Sequence, residues 1–314
     1  MGVKWKAKAV VQKAISFLPQ KQRINTLFQK YVTRGLALTD EHFRYKIEHA
    51  RDHLQYQKRY GETSFSEAKI LELGTGWYPI VPTAFYLCGA TDVTSIDIQS
   101  WITRDTLRTT VEKFRTWHDR GELAQYLPGL DERRWHKLLA TIASDAEMTT
   151  LLSQLNIRIQ VGDARRIDYP DGYFDFICSN NTFEHIHRPV LKDILREFQR
   201  LLKHGRGGVM SHFIDMTDHF AHFDESITIY NFLRYSDRVW SLIDNDIQPQ
   251  NRMRLRDYLD MYERLGIPII TTSIKEGRVK DLRTVRVHEK YGSYRETELI
   301  ISHAYVISGK SVSP

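Results

Sequence analysis

The stretch Ile70-Leu71-Glu72-Leu73-Gly74-Thr75-Gly76 constrains the fold more than any other part of this chain, because an apolar run of strand length enters two glycines separated by one residue. Glycine reaches positive φ and lets the backbone approach a bound molecule closely, so Gly-x-Gly after a strand marks the first ligand loop of an α/β domain. A dinucleotide site needs a third glycine three positions after the second. Here that position is Pro79, behind bulky Trp77 and Tyr78, and pyrophosphate binding loses its support. Glu72, two residues ahead of the first glycine, would repel a pyrophosphate and attract an amine. Taken alone, such a turn is also compatible with an ordinary loop. Its weight comes from the order of acids and strands further along the chain.

Downstream, Asp92-Val93-Thr94-Ser95-Ile96-Asp97-Ile98 reads as a second strand that ends in an acid. Its distance from the glycine loop, roughly twenty residues, is that of a ribose-binding carboxylate, and apolar Ile98 could cover a face of the base. A third strand, residues 157–161, leads into Gly162-Asp163-Ala164. A fourth, Tyr173 to Ser179, leads into Asn180-Asn181-Thr182-Phe183-Glu184-His185-Ile186. Four consecutive strand–helix units are expected. Asp163 could instead cap its turn, and Asp175 reads as a structural residue that bonds backbone near the strand entrance.

These motifs resemble the class I S-adenosylmethionine-dependent methyltransferases, in the branch that reads acid-x-Gly-x-Gly, then Gly-Asp-Ala, then Phe-Asp-x-x-x-Ser followed by Glu-His; the match spans about residues 66 to 212. Leu201-Leu202-Lys203-His204-Gly205-Arg206-Gly207-Gly208-Val209 resembles the turn before the family's fifth strand, with Arg206 interrupting the commoner Lys-Pro-Gly-Gly form. The resemblance implies an α/β fold: a Rossmann-like, doubly wound, mostly parallel seven-stranded sheet whose last strand is antiparallel. It implies S-adenosylmethionine as cofactor, with Glu72, Gly74, Thr75 and Gly76 on its methionine part, Asp97 on the ribose, Ile98, Asp163 and Ala164 around the adenine, and Asn180 on the floor.

At 314 residues the chain exceeds a minimal core without reaching two typical domains. The expected division is a basic helical extension over 1–64 and a methyltransferase domain over 65–314, with helical insertions at about 101–156 and 215–265. No run of eighteen or so apolar residues and no secretory h-region appear, and Cys88 and Cys178 lie in apolar surroundings as buried thiols would. A cytoplasmic location is expected. The first 39 residues carry lysines and arginines and no acid before Asp40, while Trp5, Val10, Val11, Ile15, Phe17 and Leu18 recur at roughly helical spacing. That helix could pack on the core, or lie peripherally on a membrane or polyanion. The start does not complete a myristoylation motif, since Lys6 stands where Ser or Thr is needed. The 101–156 insertion reads as helical and partly exposed, a lid or subunit contact.

Methyl transfer to a hydroxyl calls for a proton acceptor near the ends of the fourth and fifth strands. His185 is one candidate, close to where related plant O-methyltransferases keep a catalytic histidine. The segment from Ser211 to Asp224 is denser, with three histidines and three aspartates. Its spacing could gather His212, Asp215, Asp218 and His219 around one pocket as proton acceptors or, as the lesser alternative, as ligands of a divalent metal; no residue is assigned as a metal ligand. Arg234 and Arg252, among aromatics and amides, could clamp a carboxylate or phosphate. The leading expectation is O-methylation of a small-molecule or glycan-like acceptor. The alternatives are an RNA methyltransferase, favoured by a net charge of +6 but without the Asn-Pro-Pro-aromatic loop of base amino-methylases, and a non-catalytic cofactor-binding protein.

Overall fold

A computed structural model describes residues 4–19, 37–204 and 207–310. Lys21, Arg23, Lys30 and Arg34 of the basic amino-terminal segment, the Met1-Gly2 start, and the Gly205-Arg206 turn lie outside the described residues. The strands are β1 (Lys69–Leu73), β2 (Asp92–Asp97), β3 (Ile157–Val161), β4 (Phe176–Asn180), β5 (Val209–Asp215), β6 (Ile269–Glu276) and β7 (Ile301–Gly309). They form one sheet in the order β3-β2-β1-β4-β5-β7-β6. The first five run parallel, and β7 pairs antiparallel with both β5 and β6. The described helices are α1 (Lys4–Ser16), α2 (Asp40–Tyr60), α3 (Ile80–Leu87), α4 (Arg104–Asp119), α5 (Leu123–Tyr126), α6 (Glu132–Ala143), α7 (Met148–Gln154), α8 (Arg188–Leu201), α9 (Asp237–Ile243), α10 (Leu255–Arg264), α11 (Val279–Arg283) and α12 (Glu296–Leu299).

Alternation along each strand divides the core into two layers. On β1, Ile70 joins the layer under α2, α3 and α4, and Leu71 and Leu73 join the one under α8 and α10. On β5, Val209 and Phe213 face the first layer, Met210 and Ile214 the second. The central strands are thus covered on both sides, whereas the edge strand β6 is largely exposed, and polar openings are left at the strand ends. Strand order reverses between β1 and β4, and the crevice outside their carboxyl ends is where ligands of such sheets bind.

Several boundaries differ from the sequence reading. β3 and β4 are joined without a helix, so the four strand–helix units are interrupted: Pro170 and positive-φ Gly172 break residues 162–175 into turns. Arg200 of α8 fastens this connection by donating to the carbonyls of Tyr169 (2.8 Å) and Ile167 (2.9 Å). β4 starts at Phe176 because Tyr173 and Phe174 turn away, Phe174 making only an isolated bridge to Leu202. Asp175 has the structural role expected of it: Oδ2 accepts the Lys69 amide (3.0 Å) and Oδ1 the Thr63 hydroxyl (2.8 Å). Leu299 closes the short helix α12, and β7 begins two residues after it, at Ile301.

The segment before residue 65 does not behave as one extension. α2 lies directly against the sheet, with Phe43, Ile47 and Ala50 fully buried in the first layer. α1 packs elsewhere, on the segment after β5, where Trp5 meets Phe220 (5.6 Å between centroids) and Tyr235 (6.0 Å). The Trp5 amide donates to Asp224 Oδ2 (3.0 Å), and Lys13 Nζ donates to the carbonyls of Ser241 (3.0 Å) and Asp244 (2.6 Å). Trp5, Ala9, Phe220, Tyr230, Phe232 and Trp240 belong to a third apolar cluster, a cap above the carboxyl ends of the strands. Ile15 is buried as well, whereas Val10, Val11, Phe17 and Leu18 stay exposed. No helix among the described residues is long and apolar enough to cross a membrane. In the first insertion, Trp117 and Trp135 are buried core residues, so this segment is packed wall rather than a loose flap.

Of the two arginines after β5, Arg252 departs from expectation. Arg252, at φ 57°, donates to the carbonyls of Phe232 (3.1 Å) and Tyr235 (2.6 Å) and pairs with Asp237, and so it braces the cap. Arg234 has Asn231 at 3.5 Å. Arg254, fully buried, donates to the carbonyls of Met216 (2.5 Å), Leu299 (2.8 Å) and Ile301. Replacing Arg254 by Met should leave these carbonyls unpaired and lower unfolding stability by about 2–4 kcal/mol, read from urea denaturation.

Candidate active site

The glycine turn follows β1 at the reversal of strand order. Gly74 has φ +88°, and a Cβ there would stand 2.3 Å from Thr182 Oγ1, so the turn and the loop after β4 touch backbone to side chain. Thr182 Oγ1 lies within bonding distance of the Leu73 (3.2 Å) and Asn180 (3.1 Å) carbonyls, and the Gly74 amide donates to Ile96 O (2.8 Å). Gly76 has φ +66° and meets nothing within 4 Å of where its Cβ would be. The turn is locked on one side and open on the other, which is the geometry of a backbone that receives a ligand.

Glu72 is 2% exposed, and its Oε2 accepts the Ser95 hydroxyl (2.7 Å), which also contacts Thr75 Oγ1 (2.5 Å). Burial pushes its carboxyl up to about 7 against the pull of Ser95 and Lys46. At the end of β2, Asp97 accepts the Gly76 amide (3.1 Å), the Trp101 indole N–H (3.1 Å) and the Gln99 amide (3.3 Å), and Trp101 packs on Trp77 at 4.5 Å. Asp97 therefore links the glycine turn to the mouth of the first insertion, and Ile98 beside it is 68% exposed. Beyond β3, Ala164 is buried and Asp163 is paired to Arg165. Asn180, 3% exposed, accepts at Oδ1 from His53 Nε2 (3.0 Å), while its Nδ2 has no partner. Burial lowers His53 to about 4, so the ring is neutral, and Nδ1 accepts the Ser211 hydroxyl (2.8 Å).

A second group of polar side chains lies at the ends of β4 and β5. Glu184 is 2% exposed, and neither carboxylate oxygen completes a hydrogen bond. Burial, then the neighbouring Asp215 charge, raises its carboxyl well above the usual range, opposed more weakly by the backbone amides of Glu184 and Asp215 and by Lys46. His185 faces Pro249 O through Nδ1 (2.8 Å), so that nitrogen carries the proton, and its ring meets His219 edge-on at 4.8 Å. Burial, with His219 next, lowers His185 to about 4. Asp215 lies near three imidazoles: His219 Nε2 (3.4 Å), His303 Nε2 (3.6 Å) and His222 Nε2 (3.9 Å). Burial would raise its carboxyl, but His219 above all holds it well below the usual carboxylate range.

His212 does not join this group. Residues 209, 211, 213 and 215 share one face of β5, so His212 points to the opposite layer. It is fully buried between Phe183 (4.3 Å) and Phe198 (5.8 Å), with Nδ1 on Ser179 Oγ (2.8 Å), a core histidine rather than a pocket base. Asp218 is also withdrawn: it accepts the Phe220 amide (2.9 Å) and Asn231 Nδ2 (3.0 Å) and caps the turn that carries His219. Lys46 was missed altogether. It shares the inward stripe of α2 with Phe43, Ile47 and Ala50, and burial lowers its ammonium while Glu72 and Glu184 act to raise it. A lysine within an apolar stripe at helical spacing is the sequence signal that marks it. Tyr45, one residue earlier, exchanges hydrogen bonds with Asn181 (2.9 and 3.2 Å).

Residues 136–205 match a family model described as a methyltransferase domain. The matched segment runs from α6 through β3 and β4 to the end of α8, and the glycine turn on β1, the acid closing β2 and the reversed seventh strand lie outside it. Over that segment the chain is similar to a methyltransferase domain, and its mostly parallel seven-stranded sheet is the α/β fold that the sequence resemblance implies. No curated protein matches the sequence. Among solved structures, the chain is similar to geranyl diphosphate C-methyltransferase from Streptomyces coelicolor A3(2) in complex with Mg2+, geranyl diphosphate and S-adenosyl-L-homocysteine (12% identity, covering 88% of this chain and 86% of that chain, TM-score 0.46). It is also similar to the PH0226 protein from Pyrococcus horikoshii OT3 (12%, 90% and 98%, 0.46). A further similar structure is the YcgJ protein from Bacillus subtilis (14%, 84% and 99%, 0.42).

Gly74→Ala should cost about 1–3 kcal/mol of stability through positive φ and the Thr182 clash. Gly76→Ala meets no atom and should show only the φ strain. Thermal unfolding of both variants, compared without ligand, checks the difference.

Proposed function

We propose that the protein methylates an oxygen of a small polar or glycan-like acceptor, held between the cofactor crevice and the cap formed by α1 and the segment after β5. The observation that carries this reading is the convergence of Glu184, His185, Asp215 and His219 at the ends of β4 and β5, next to the glycine turn. When bound, S-adenosylmethionine supplies an electrophilic methyl group on a sulfonium, and the task left to the chain is to hold, orient and dehydrate.

In this reading Glu72 faces the ammonium of the methionine part, Gly74, Thr75 and Gly76 offer their backbone to it, and the unpartnered Asn180 Nδ2 donates from the floor. Asp97 takes the ribose hydroxyls by exchanging one of its present donors. Ile98, Asp163 and Ala164 line the adenine end, where an exposed isoleucine offers an apolar face. Among the imidazoles gathered around Asp215, His219 is nearest and His222 lies at the more exposed edge, so a hydroxyl proton can pass inward to an imidazole and out toward solvent. Trp5, Phe220 and Trp240 supply apolar cover that keeps water from the transfer. The carboxyl and imidazole groups of Glu184, His185, Asp215 and His219 support a hydroxylated acceptor over a lipid chain.

Two outcomes are expected. S-adenosylmethionine binding, measured by calorimetry, should weaken as pH falls through about 7, because protons compete for the Glu72 carboxylate that a cationic amine requires; the limiting slope is about tenfold per pH unit. Glu72→Gln should bind weakly with that dependence removed, and an unchanged slope would reject the assignment. Supplying labelled cofactor with small-molecule, glycolipid and RNA fractions identifies the acceptor class. On the fraction that takes label, His219→Ala should reduce turnover by about 10²–10⁴-fold at unaltered cofactor affinity, and label confined to RNA would overturn the acceptor assignment.

A further inference from the structure

Glu184, His185 and His219 each bring one ligand atom to a common point, all within 4.8 Å of one another. Neighbouring ligands of an ion at ~2.1 Å stand ~3–4 Å apart, so a small side-chain adjustment closes the set. The burial of this group needs an explanation. A carboxylate withdrawn from water without a hydrogen-bond partner is costly, yet both Glu184 oxygens are in that state. Two features preorient the imidazoles as outer partners orient metal ligands. Pro249 O faces His185 Nδ1 at 2.8 Å, leaving Nε2 unprotonated, and Asp215 Oδ2 lies 3.4 Å from His219 Nε2.

We propose that Glu184, His185 and His219 form a binding site for a divalent first-row transition-metal ion at the floor of the acceptor pocket. Two imidazoles and one carboxylate suit Zn2+, Mn2+, Fe2+ or Co2+ over Mg2+ or Ca2+, which prefer all-oxygen sets. Three protein ligands leave open positions. Resting on the methyl-transfer reading, this narrows the acceptor to molecules with neighbouring oxygens able to chelate such an ion, as vicinal diols and hydroxy acids do. With His219 in the set, His222 and His303 remain beside Asp215, and the more exposed His222 takes over from His219 as the imidazole that can receive the acceptor's proton.

The test uses tag-free, chelator-stripped full-length protein titrated with Co2+, followed by calorimetry and visible absorption. One equivalent should bind in wild type with a new d–d band. Glu184→Gln and His185→Asn should each weaken binding by at least the roughly 10–100-fold that outer-partner changes cost, with circular dichroism confirming that both are folded, while His222→Gln should bind as wild type. Absence of stoichiometric binding in wild type, undiminished binding by Glu184→Gln, or equal loss in His222→Gln would each overturn the site. S-adenosylmethionine titration of the stripped protein reports the methyl-donor reading separately, so failure of one is not mistaken for failure of the other.

Discussion

The contact of Gly74 with Thr182 is the joint on which the crevice depends. Residues after β1 and β4 diverge there, because adjacent parallel strands send their following segments to different places, and the opening between them exists only if both loops begin in close register. A side chain at Gly74 would meet Thr182 Oγ1 at 2.3 Å. With glycine, the hydroxyl of Thr182 reaches the Leu73 and Asn180 carbonyls and fixes the loop that continues into Glu184 and His185. The glycine turn after β1 and the loop after β4 are thereby held in register with each other.

Around that joint the protein buries carboxylates. Glu72, Glu184 and Asp215 are all withdrawn from water, and the first two act on Lys46 to raise its ammonium. Such an arrangement is unfavourable to folding taken alone, since each withdrawn charge must find compensation. Asp215 finds it in three imidazoles, Glu72 in Ser95, and Glu184 in no hydrogen bond. Strain of this kind, concentrated at the strand ends while the two apolar layers are well filled, is what a ligand site looks like when the fold elsewhere supplies the stability.

The glycine turn and the strand-end polar groups beside it were largely legible in the sequence because their determinants are local. Gly74, Gly76, Asp97 and Asn180 sit at fixed offsets from strands whose apolar runs announce them, and parallel neighbours bring equivalent offsets to one edge. The polar segment after β5 was less so. Ser211 to Asp224 reads as one polar cluster, but strand alternation sends His212 to the opposite layer and Asp218 turns inward to cap a helix. That parity was available in the sequence once the strand was known to run through Asp215. The roles of Arg252 and Arg254 were not available: each satisfies backbone carbonyls from segments far apart in the chain.

Sequence by itself determined the sheet, the glycine turn and the order of acids along it, since apolar alternation and glycine's access to positive φ act over a few residues. Only the tertiary structure decided which polar groups meet. Glu184 faces His219 because β4 and β5 are neighbours, Lys46 enters because α2 lies on the sheet rather than apart from it, and α1 packs on the segment after β5 because Trp5 finds Phe220 more than two hundred residues away. Contacts between distant segments are fixed by packing of whole elements, and the pattern within any single element does not contain them.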